Sequence, residues 1–299
     1  MFDPSQVGTV CLICRQYPPI QNSHVIPKFV FRWMSETGIT PYLRHGATPN
    51  RRVQDGLKAP LLCQVCEQLA SKIEKEFAEK IFVPSTQDKP LPRKVGRYFH
   101  DFACIVHLRV AGSFLPKCEE LNIKDWQKEL LTIWIDQAAN YLRGERITVL
   151  PNRLYLLPLG FGVPTQTIGY PKNWYRYIRR STELDLVTSD SENLFATYFK
   201  AGPWLSFCLM RNRGQAWIGG EAISRTQKVK AEKMVFPPSV LDYLKFRAGN
   251  TARITQQLSE KQKAKIDAET RASLQSGKGE EMIKVILEDY ETFGPDGLQ

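Results

Sequence analysis

The chain has 299 residues, of which 42% are hydrophobic, and a formal net charge of +10. The hydrophobic fraction excludes a disordered protein, and the length is typical of one large domain or two smaller ones. No run of about 18 to 20 apolar residues is present, and the first residues lack the basic and apolar parts of a signal peptide, so a cytoplasmic location with no membrane contact is expected. The excess of basic residues favours a polyanionic partner such as nucleic acid.

Two Cys-x-x-Cys pairs lie near the start of the chain, Cys11 with Cys14 and Cys63 with Cys66. Each pair places two thiolates on one turn, and two such turns together offer the four sulfurs that structural Zn²⁺ prefers in a tetrahedral site. We therefore predict a structural zinc site formed by these four cysteines. A redox dithiol and an accidental pair of motifs are the alternatives.

A helix is predicted directly behind the second cysteine pair, over about 66–78. Its apolar stripe is predicted from the spacing of Leu69, Ile73 and Phe77. The polar, Pro-rich segment 83–92 that follows is predicted to be a linker. The sequence thus predicts a small zinc-binding domain and a larger second domain.

The larger domain, residues 93–299, is predicted to mix helices and strands. Long helices are expected over about 97–114 and 123–142, the second capped by Asn122. Apolar runs separated by turn residues predict an antiparallel meander with the strands Leu194–Phe199, Trp204–Met210 and Ala216–Ile223. The predicted fold class is therefore α+β.

A polar helical stretch over 250–275 has few large apolar residues in its second half. Such a stretch is typical of a solvated helix or of an arm that binds a protein partner or a second copy of the chain. The segment 174–180 alternates aromatic residues with arginines. This composition is equally typical of a nucleic-acid contact and of a protein contact.

Three segments of the first unit, residues 1–82, resemble one known family: Cys11-Leu-Ile-Cys14, Ser23-His-Val-Ile-Pro-Lys28 and Leu61-Leu-Cys-Gln-Val-Cys-Glu67. The resemblance is to the zinc-knotted subgroup of the HNH, or ββα-metal, endonucleases. It implies a ββα-metal, treble-clef-like zinc domain that hydrolyses phosphodiester bonds in nucleic acid, with DNA as the expected substrate. It also implies a role in bacterial defence against phage.

The resemblance assigns His24 as the general base, and an imidazole is able to remove a proton from water near pH 7. Glu67 stands where the family places a metal-binding histidine, and a carboxylate is a suitable ligand for a catalytic Mg²⁺ or Mn²⁺ ion. The family's asparagine falls near Lys58, so Asp55 is the nearest replacement ligand, ahead of His45 and Asn50. The expected cofactors are thus structural Zn²⁺ and catalytic Mg²⁺ or Mn²⁺.

Each of these site residues also has a structural interpretation. His24 is alternatively a buried histidine, Glu67 a charge that favours the start of a helix, and Asp55 part of an Asp-Gly turn. Ser23 and Lys58 depart from the family's pattern of metal ligands. The alternatives to an endonuclease are a non-catalytic zinc-stabilised module that binds nucleic acid or protein, and a nuclease subunit that is silent without its partner.

Basic residues surround the predicted site and are expected to contact phosphates. The predicted nucleic-acid contacts are Lys28, Arg32, Arg51, Arg52 and Lys58.

Overall fold

The structure is a computed structural model that describes residues 2–53, 55–87, 89, 97–144, 153–159, 169–213 and 238–298. It combines helices with antiparallel sheets and places four cysteines together near the start of the chain, which confirms the predicted α+β class. The predicted strand Ala216–Ile223 lies outside the described residues. Within the described ranges, no helix is long and apolar enough to cross a membrane.

The N-terminal part is built from short strands and two helices. In chain order its elements are β1 (Ser23–His24), α1 (Lys28–Glu36), β2 (Leu43–His45), β3 (Thr48–Val53), β4 (Lys58–Ala59) and α2 (Gln64–Phe77). Strand β1 pairs with β4 and β2 pairs with β3, both antiparallel. Strand β4 leads within four residues into α2, and Ser23 of β1 donates a hydrogen bond to Glu67 of α2.

The buried face of helix α2 begins at Cys66, one of the four clustered cysteines. Its buried residues are Cys66, Ala70, Ile73 and Phe77, whereas Leu69 is 38% exposed. The predicted stripe is therefore right for Ile73 and Phe77 and wrong for Leu69. Because Cys66 must face the other cysteines, the helix is rotated so that Ala70 rather than Leu69 points inward.

The first residues of the predicted linker 83–92 are helical, and most of the remainder of this segment lies outside the described residues. A π-helical turn, Ala78–Phe82, continues α2 and is followed by α3 (Val83–Thr86). Pro84 is tolerated because it lies in the first turn of α3, where its missing N–H has no helical acceptor. Ser85 accepts a hydrogen bond of 2.8 Å from the indole of Trp204, which ties this segment to the sheet.

The larger part of the chain contains one sheet and several helices. In chain order its elements are α4 (Arg97–Phe114), α5 (Asp125–Leu142), β5 (Arg153–Pro158), α6 (Trp174–Arg180), β6 (Thr182–Thr188), β7 (Leu194–Ala201), β8 (Trp204–Asn212), α7 (Pro238–Gln256), α8 (Glu260–Ser276) and α9 (Glu280–Phe293). The sheet is antiparallel with the strand order β5-β8-β7-β6.

The two long helices and two of the meander strands are confirmed with small shifts at their ends. Helix α4 has the predicted bounds. The N-cap of α5 is Lys124, so the predicted cap Asn122 is wrong; Asn122 lies before the helix in a left-handed conformation with φ 51°. Strand β6 was not predicted. It lies at the sheet edge and carries Glu183 and Asp185, which bind Arg247 of α7, so its pattern looks polar.

One hydrophobic core extends from the cysteine turns to the sheet. The ring of Phe77 at the end of α2 stacks on Phe102 of α4 with centroids 3.7 Å apart, and Trp204 of β8 packs edge-on against Phe77. Helices α2 and α4 therefore share a core across the predicted domain boundary.

His107 of α4 is buried beneath the sheet, and this burial should make the stability of the fold dependent on pH. Its ring nitrogens lie 2.8 Å from the hydroxyls of Thr197 and Ser206. Burial lowers the pKa of His107 to about 3. A histidine in the unfolded chain has a pKa of about 6.5. Acid therefore protonates the unfolded chain first and favours unfolding. We expect the free energy of unfolding to fall by about 2 kcal/mol between about pH 7 and pH 5.

Urea unfolding of wild type and of a His107→Gln variant measures this effect. Glutamine can keep a hydrogen bond to Thr197 or Ser206 but does not titrate, so the variant should lose less stability over the same pH range. Identical pH dependences of wild type and variant would show that His107 does not govern the acid response.

Candidate metal centre and the His24 site

The four cysteines of the two Cys-x-x-Cys motifs meet at one point. Their Sγ atoms all lie within 4.8 Å of one another, and the Cys14 and Cys63 sulfurs are 3.6 Å apart. Tetrahedral zinc with Zn–S bonds of about 2.3 Å requires sulfur separations of about 3.8 Å. The geometry and the all-sulfur donor set therefore fit a structural metal ion such as zinc.

Local backbone structure explains why the two turns meet. The N–H groups of Leu12 and Ile20 each donate a 2.9 Å hydrogen bond, to the carbonyls of Leu61 and Leu62 respectively. Cys63 occupies the N-cap position of α2, and Cys66 lies in the first turn of this helix. A hydrogen bond from the Cys66 thiol lowers the pKa of Cys11, and the thiolate is the form that binds metal.

His24 is held by a carboxylate beside this centre. Its Nε2 lies 2.7 Å from Oδ1 of Asp55, whose Oδ2 lies 2.7 Å from Nζ of Lys58. The register of β1 with β4 places His24 opposite Lys58, which brings all three groups together. The imidazole is 18% exposed. Asp55 can therefore fix the orientation of the ring and leave Nδ1 as the nitrogen that takes up a proton.

Asp55 is a permanently charged partner at neutral pH. Partial burial disfavours its charged form, but hydrogen bonds from Lys58, from the Gly56 N–H and from His24 outweigh this effect and lower the pKa of Asp55 to about 2. The Gly56 hydrogen bond, 2.9 Å long, is of the kind that an Asp-Gly turn makes. The Asp-Gly turn stays a prediction, while the Gly56 contact helps to hold the carboxylate that meets His24.

Glu67 is held by two donors within a buried network. Its Oε1 accepts a 2.5 Å hydrogen bond from the Ser23 hydroxyl, and its Oε2 accepts a 2.9 Å hydrogen bond from Nη2 of Arg109. The other guanidinium nitrogen of Arg109, Nη1, binds Glu74. Burial raises the pKa of Glu74, and the charge of Arg109 acts against this rise. Glu67 lies in the first turn of α2 and is also bound to Arg109 of α4.

The arrangement gives no support to a catalytic Mg²⁺ or Mn²⁺ ion at Asp55 and Glu67. Among the residues that the structure describes, the four cysteines form the one group of three or more His, Cys, Asp or Glu ligand atoms close enough to hold a metal. Both predicted carboxylates are paired with side-chain cations, Asp55 with Lys58 and Glu67 with Arg109. These residues as arranged do not fit a hard divalent cation, which needs several free oxygen ligands.

The predicted phosphate-contacting residues divide into two groups. Lys28, Arg32 and Arg51 are exposed. Arg52 instead binds Glu269 of α8 at 2.7 Å and lies over the Tyr42 ring, while Lys58 binds Asp55. Four of the five basic residues, Lys58 among them, are thus exposed in the N-terminal part of the chain.

The two weaker ligand candidates lie on the β2–β3 hairpin. His45 is exposed and accepts a hydrogen bond from the Ala47 N–H. Asn50 bonds the backbone on both sides of the turn before α8, at Gln257 and Ser259. The structure therefore gives neither residue a place in the cysteine cluster or in the Glu67 network.

Helix α8, within the stretch predicted as a solvated helix or partner arm, contacts the chain's own N-terminal part. Gln262 accepts a hydrogen bond from Arg44, and Ser273 donates one to the Ile39 carbonyl. The aromatic and arginine-rich segment forms α6, which buries most of its side chains and pairs Arg176 and Arg179 with α9. This segment therefore contacts other parts of the same chain. A partner protein stays a prediction.

Sequence reasoning missed Arg109 and Glu74. Arg109 stands in the apolar run from Ile105 to Ser113, all of which is buried. A lone arginine in such a run signals a buried acidic partner, since an unpaired charge is too costly to bury. Glu74 lies seven residues after Glu67, two turns along the same helix. This spacing places both carboxylates on one helix face and is the signal for a shared cationic partner.

Comparisons with models of protein families, with curated proteins and with solved structures find no match for this chain. Its function is therefore argued from the site itself.

Proposed function

We propose that the chain is an HNH-type endonuclease that hydrolyses phosphodiester bonds in nucleic acid, with DNA as the expected substrate and His24 as the general base. The observation that carries the proposal is the 2.7 Å contact between His24 and Asp55. It lies on the β1–β4 pair, which the hydrogen bond from Ser23 to Glu67 joins to α2. A partly exposed histidine with a fixed carboxylate partner is a typical general base.

The proposed chemistry uses the two ring nitrogens differently. Asp55 accepts a hydrogen bond from Nε2–H, which leaves Nδ1 to accept a proton from the water that attacks phosphorus; the bond from phosphorus to the 3′ oxygen breaks, and this oxygen takes up a proton from solvent. The imidazolium formed in this step is stabilised by the Asp55 carboxylate, which the low pKa keeps charged. Asp55 thus acts as a positioning residue for His24, a different role from the metal ligand predicted from the sequence.

Substrate binding is proposed to depend on the exposed basic residues near this site. Lys28 opens α1 only four residues after His24, and Arg32 follows one turn later on the same helix. Arg51 on β3 supplies a third exposed cation. Together with the net charge of +10, these groups favour contacts with a phosphate backbone.

The two predicted metal ions have different roles in the proposed function. Structural zinc would hold β1 and the start of α2 in place through Cys11, Cys14, Cys63 and Cys66. A Mg²⁺ or Mn²⁺ ion would stabilise the charge on the leaving oxygen. Because Asp55 and Glu67 are already paired with Lys58 and Arg109, we assign no catalytic step to this ion.

A second candidate is a non-catalytic module that binds nucleic acid on a zinc-stabilised scaffold. The pairing of Glu67 with Arg109 favours it, since this pairing removes a carboxylate that a metal-dependent nuclease would need free. In this case His24 and Asp55 would only stabilise the β1–β4 pair.

A cleavage assay separates the two candidates. The zinc-loaded chain is incubated with supercoiled plasmid, single-stranded DNA and RNA, with Mg²⁺, with Mn²⁺ and with no added divalent ion. We expect the plasmid to be relaxed or linearised. A His24→Ala preparation purified in parallel controls for contaminating nucleases. If the wild-type chain binds these substrates in a gel-shift assay but cuts none of them, the endonuclease proposal is wrong and the binding module is favoured.

A further inference from the structure

Four side chains form a buried charge cluster beside the His24 site: Ser23, Glu67, Glu74 and Arg109, here called the Arg109 cluster. The guanidinium of Arg109 bridges the two carboxylates, and its side chain is only 2% exposed. Ser23, itself buried, donates to the remaining oxygen of Glu67 and accepts a 3.2 Å hydrogen bond from the Leu62 N–H. Both oxygens of Glu67 are therefore committed to protein donors.

We infer that the guanidinium of Arg109 takes the place of a divalent cation beside Glu67, so that the folded chain binds no Mg²⁺ or Mn²⁺ there. The inference rests on the proposed function only for the kind of ion that Arg109 replaces. It makes Arg109 a positioning residue that holds the start of α2 through Glu67.

The chemistry of the guanidinium supports this role. Arginine stays charged at any physiological pH and offers a planar fork of donors that suits carboxylates. A divalent ion at Glu67 would have to break the bonds from Ser23 and Arg109 and would then lie next to a second positive charge. Both effects oppose metal binding.

The helix that carries Arg109 is fixed by its packing in the core. Arg109 comes from α4, outside the N-terminal segments that resemble the nuclease family. Helix α4 packs on α2 through the stacked rings of Phe77 and Phe102. Its neighbours Leu108 and Val110 are fully buried. The surrounding core therefore fixes the helix that carries the guanidinium.

Removal of Arg109 should create a metal site where the wild-type chain has none. An Arg109→Gln variant leaves two partly buried carboxylates, Glu67 and Glu74, without their shared cation. At about pH 7.5 a metal ion is a better replacement than a proton for at least one of them. The variant should bind one Mn²⁺ ion per chain at least about tenfold more tightly than the wild type does.

Electron paramagnetic resonance of free Mn²⁺ measures this difference on the zinc-loaded full chain. The variants are Arg109→Gln, Glu67→Gln and the double variant, with zinc content and circular dichroism recorded for each. Wild type and Glu67→Gln should leave the same signal from free Mn²⁺. Arg109→Gln should reduce it by one ion per chain, and the double variant should restore it.

Two results would overturn the inference. One is a wild-type chain that binds a Mn²⁺ ion which Glu67→Gln removes, and the other is a folded Arg109→Gln variant that gains no ion. If Arg109→Gln does not fold, the comparison of wild type with Glu67→Gln still decides. Arg109→Lys, which keeps a positive charge, should exclude Mn²⁺ as the wild type does.

The outcome is independent of whether the chain is a nuclease. A chain that cuts nothing and still excludes Mn²⁺ supports the inference and contradicts the proposed function. A chain that cuts only with Mn²⁺ bound at Glu67 supports the proposed function and overturns the inference.

Discussion

Replacement of Cys63 with serine is expected to abolish stoichiometric zinc binding and to unfold the N-terminal part of the chain. Cys63 supplies one of the four clustered sulfurs, and it stands at the N-cap position of α2, so loss of the metal also releases the start of this helix. Structural zinc contributes on the order of 10 kcal/mol in small zinc modules, which is comparable to the whole stability of a typical domain. Zinc per chain by mass spectrometry and thermal unfolding by circular dichroism measure the loss.

Cys118 provides a matched control, since it is a buried cysteine that lies outside the four-cysteine cluster. Cys118→Ser should keep one zinc per chain and lose only about 1 kcal/mol, as expected for an ordinary buried substitution. Because Phe77 and Phe102 link the two parts of the core, the loss in Cys63→Ser should extend to α4 and the sheet. A Cys63→Ser chain with one zinc and an unchanged melting temperature would contradict the assignment.

The fold was predictable where the sequence pattern has one dominant cause. Helix α4 is apolar along most of its length and is bounded by polar or Pro-rich segments, so its ends match the prediction. Strand β6 was missed because its acidic residues bind an arginine that is 62 or more residues distant in the chain. The orientation of α2 could not be obtained from periodicity alone, since Cys66 and not the strongest apolar residues sets its buried face.

The candidate site shows the same division between local and long-range causes. The four cysteines were predictable because two short motifs determine their geometry. The partner of His24 was identified as a site residue, but its role changed, since only the β1–β4 register shows that Asp55 meets the imidazole. Arg109 escaped notice because it reaches Glu67 from 42 residues away. A long-range ion pair of this kind leaves only a weak trace in a single sequence.

The His24→Ala variant is expected to lose most of the proposed cleavage activity without loss of structure. A positioned general base contributes typically about 10²- to 10⁴-fold to rate, so cleavage should fall by about this factor. Asp55→Asn should also lower the rate, since an amide can hold the ring but cannot stabilise the imidazolium that forms. Plasmid cleavage rates, zinc content and thermal unfolding are measured for both variants.

His45→Ala is the matched control, because His45 is an exposed histidine on the neighbouring hairpin. It should cleave at the wild-type rate. If His24 acts as the base and Asp55 positions it, the double variant should be little slower than His24→Ala alone, since both substitutions remove one catalytic unit. Independent effects of the two substitutions would indicate that Asp55 acts on the substrate or on a metal rather than through His24. Equal cleavage by wild type and His24→Ala would remove His24 from the mechanism.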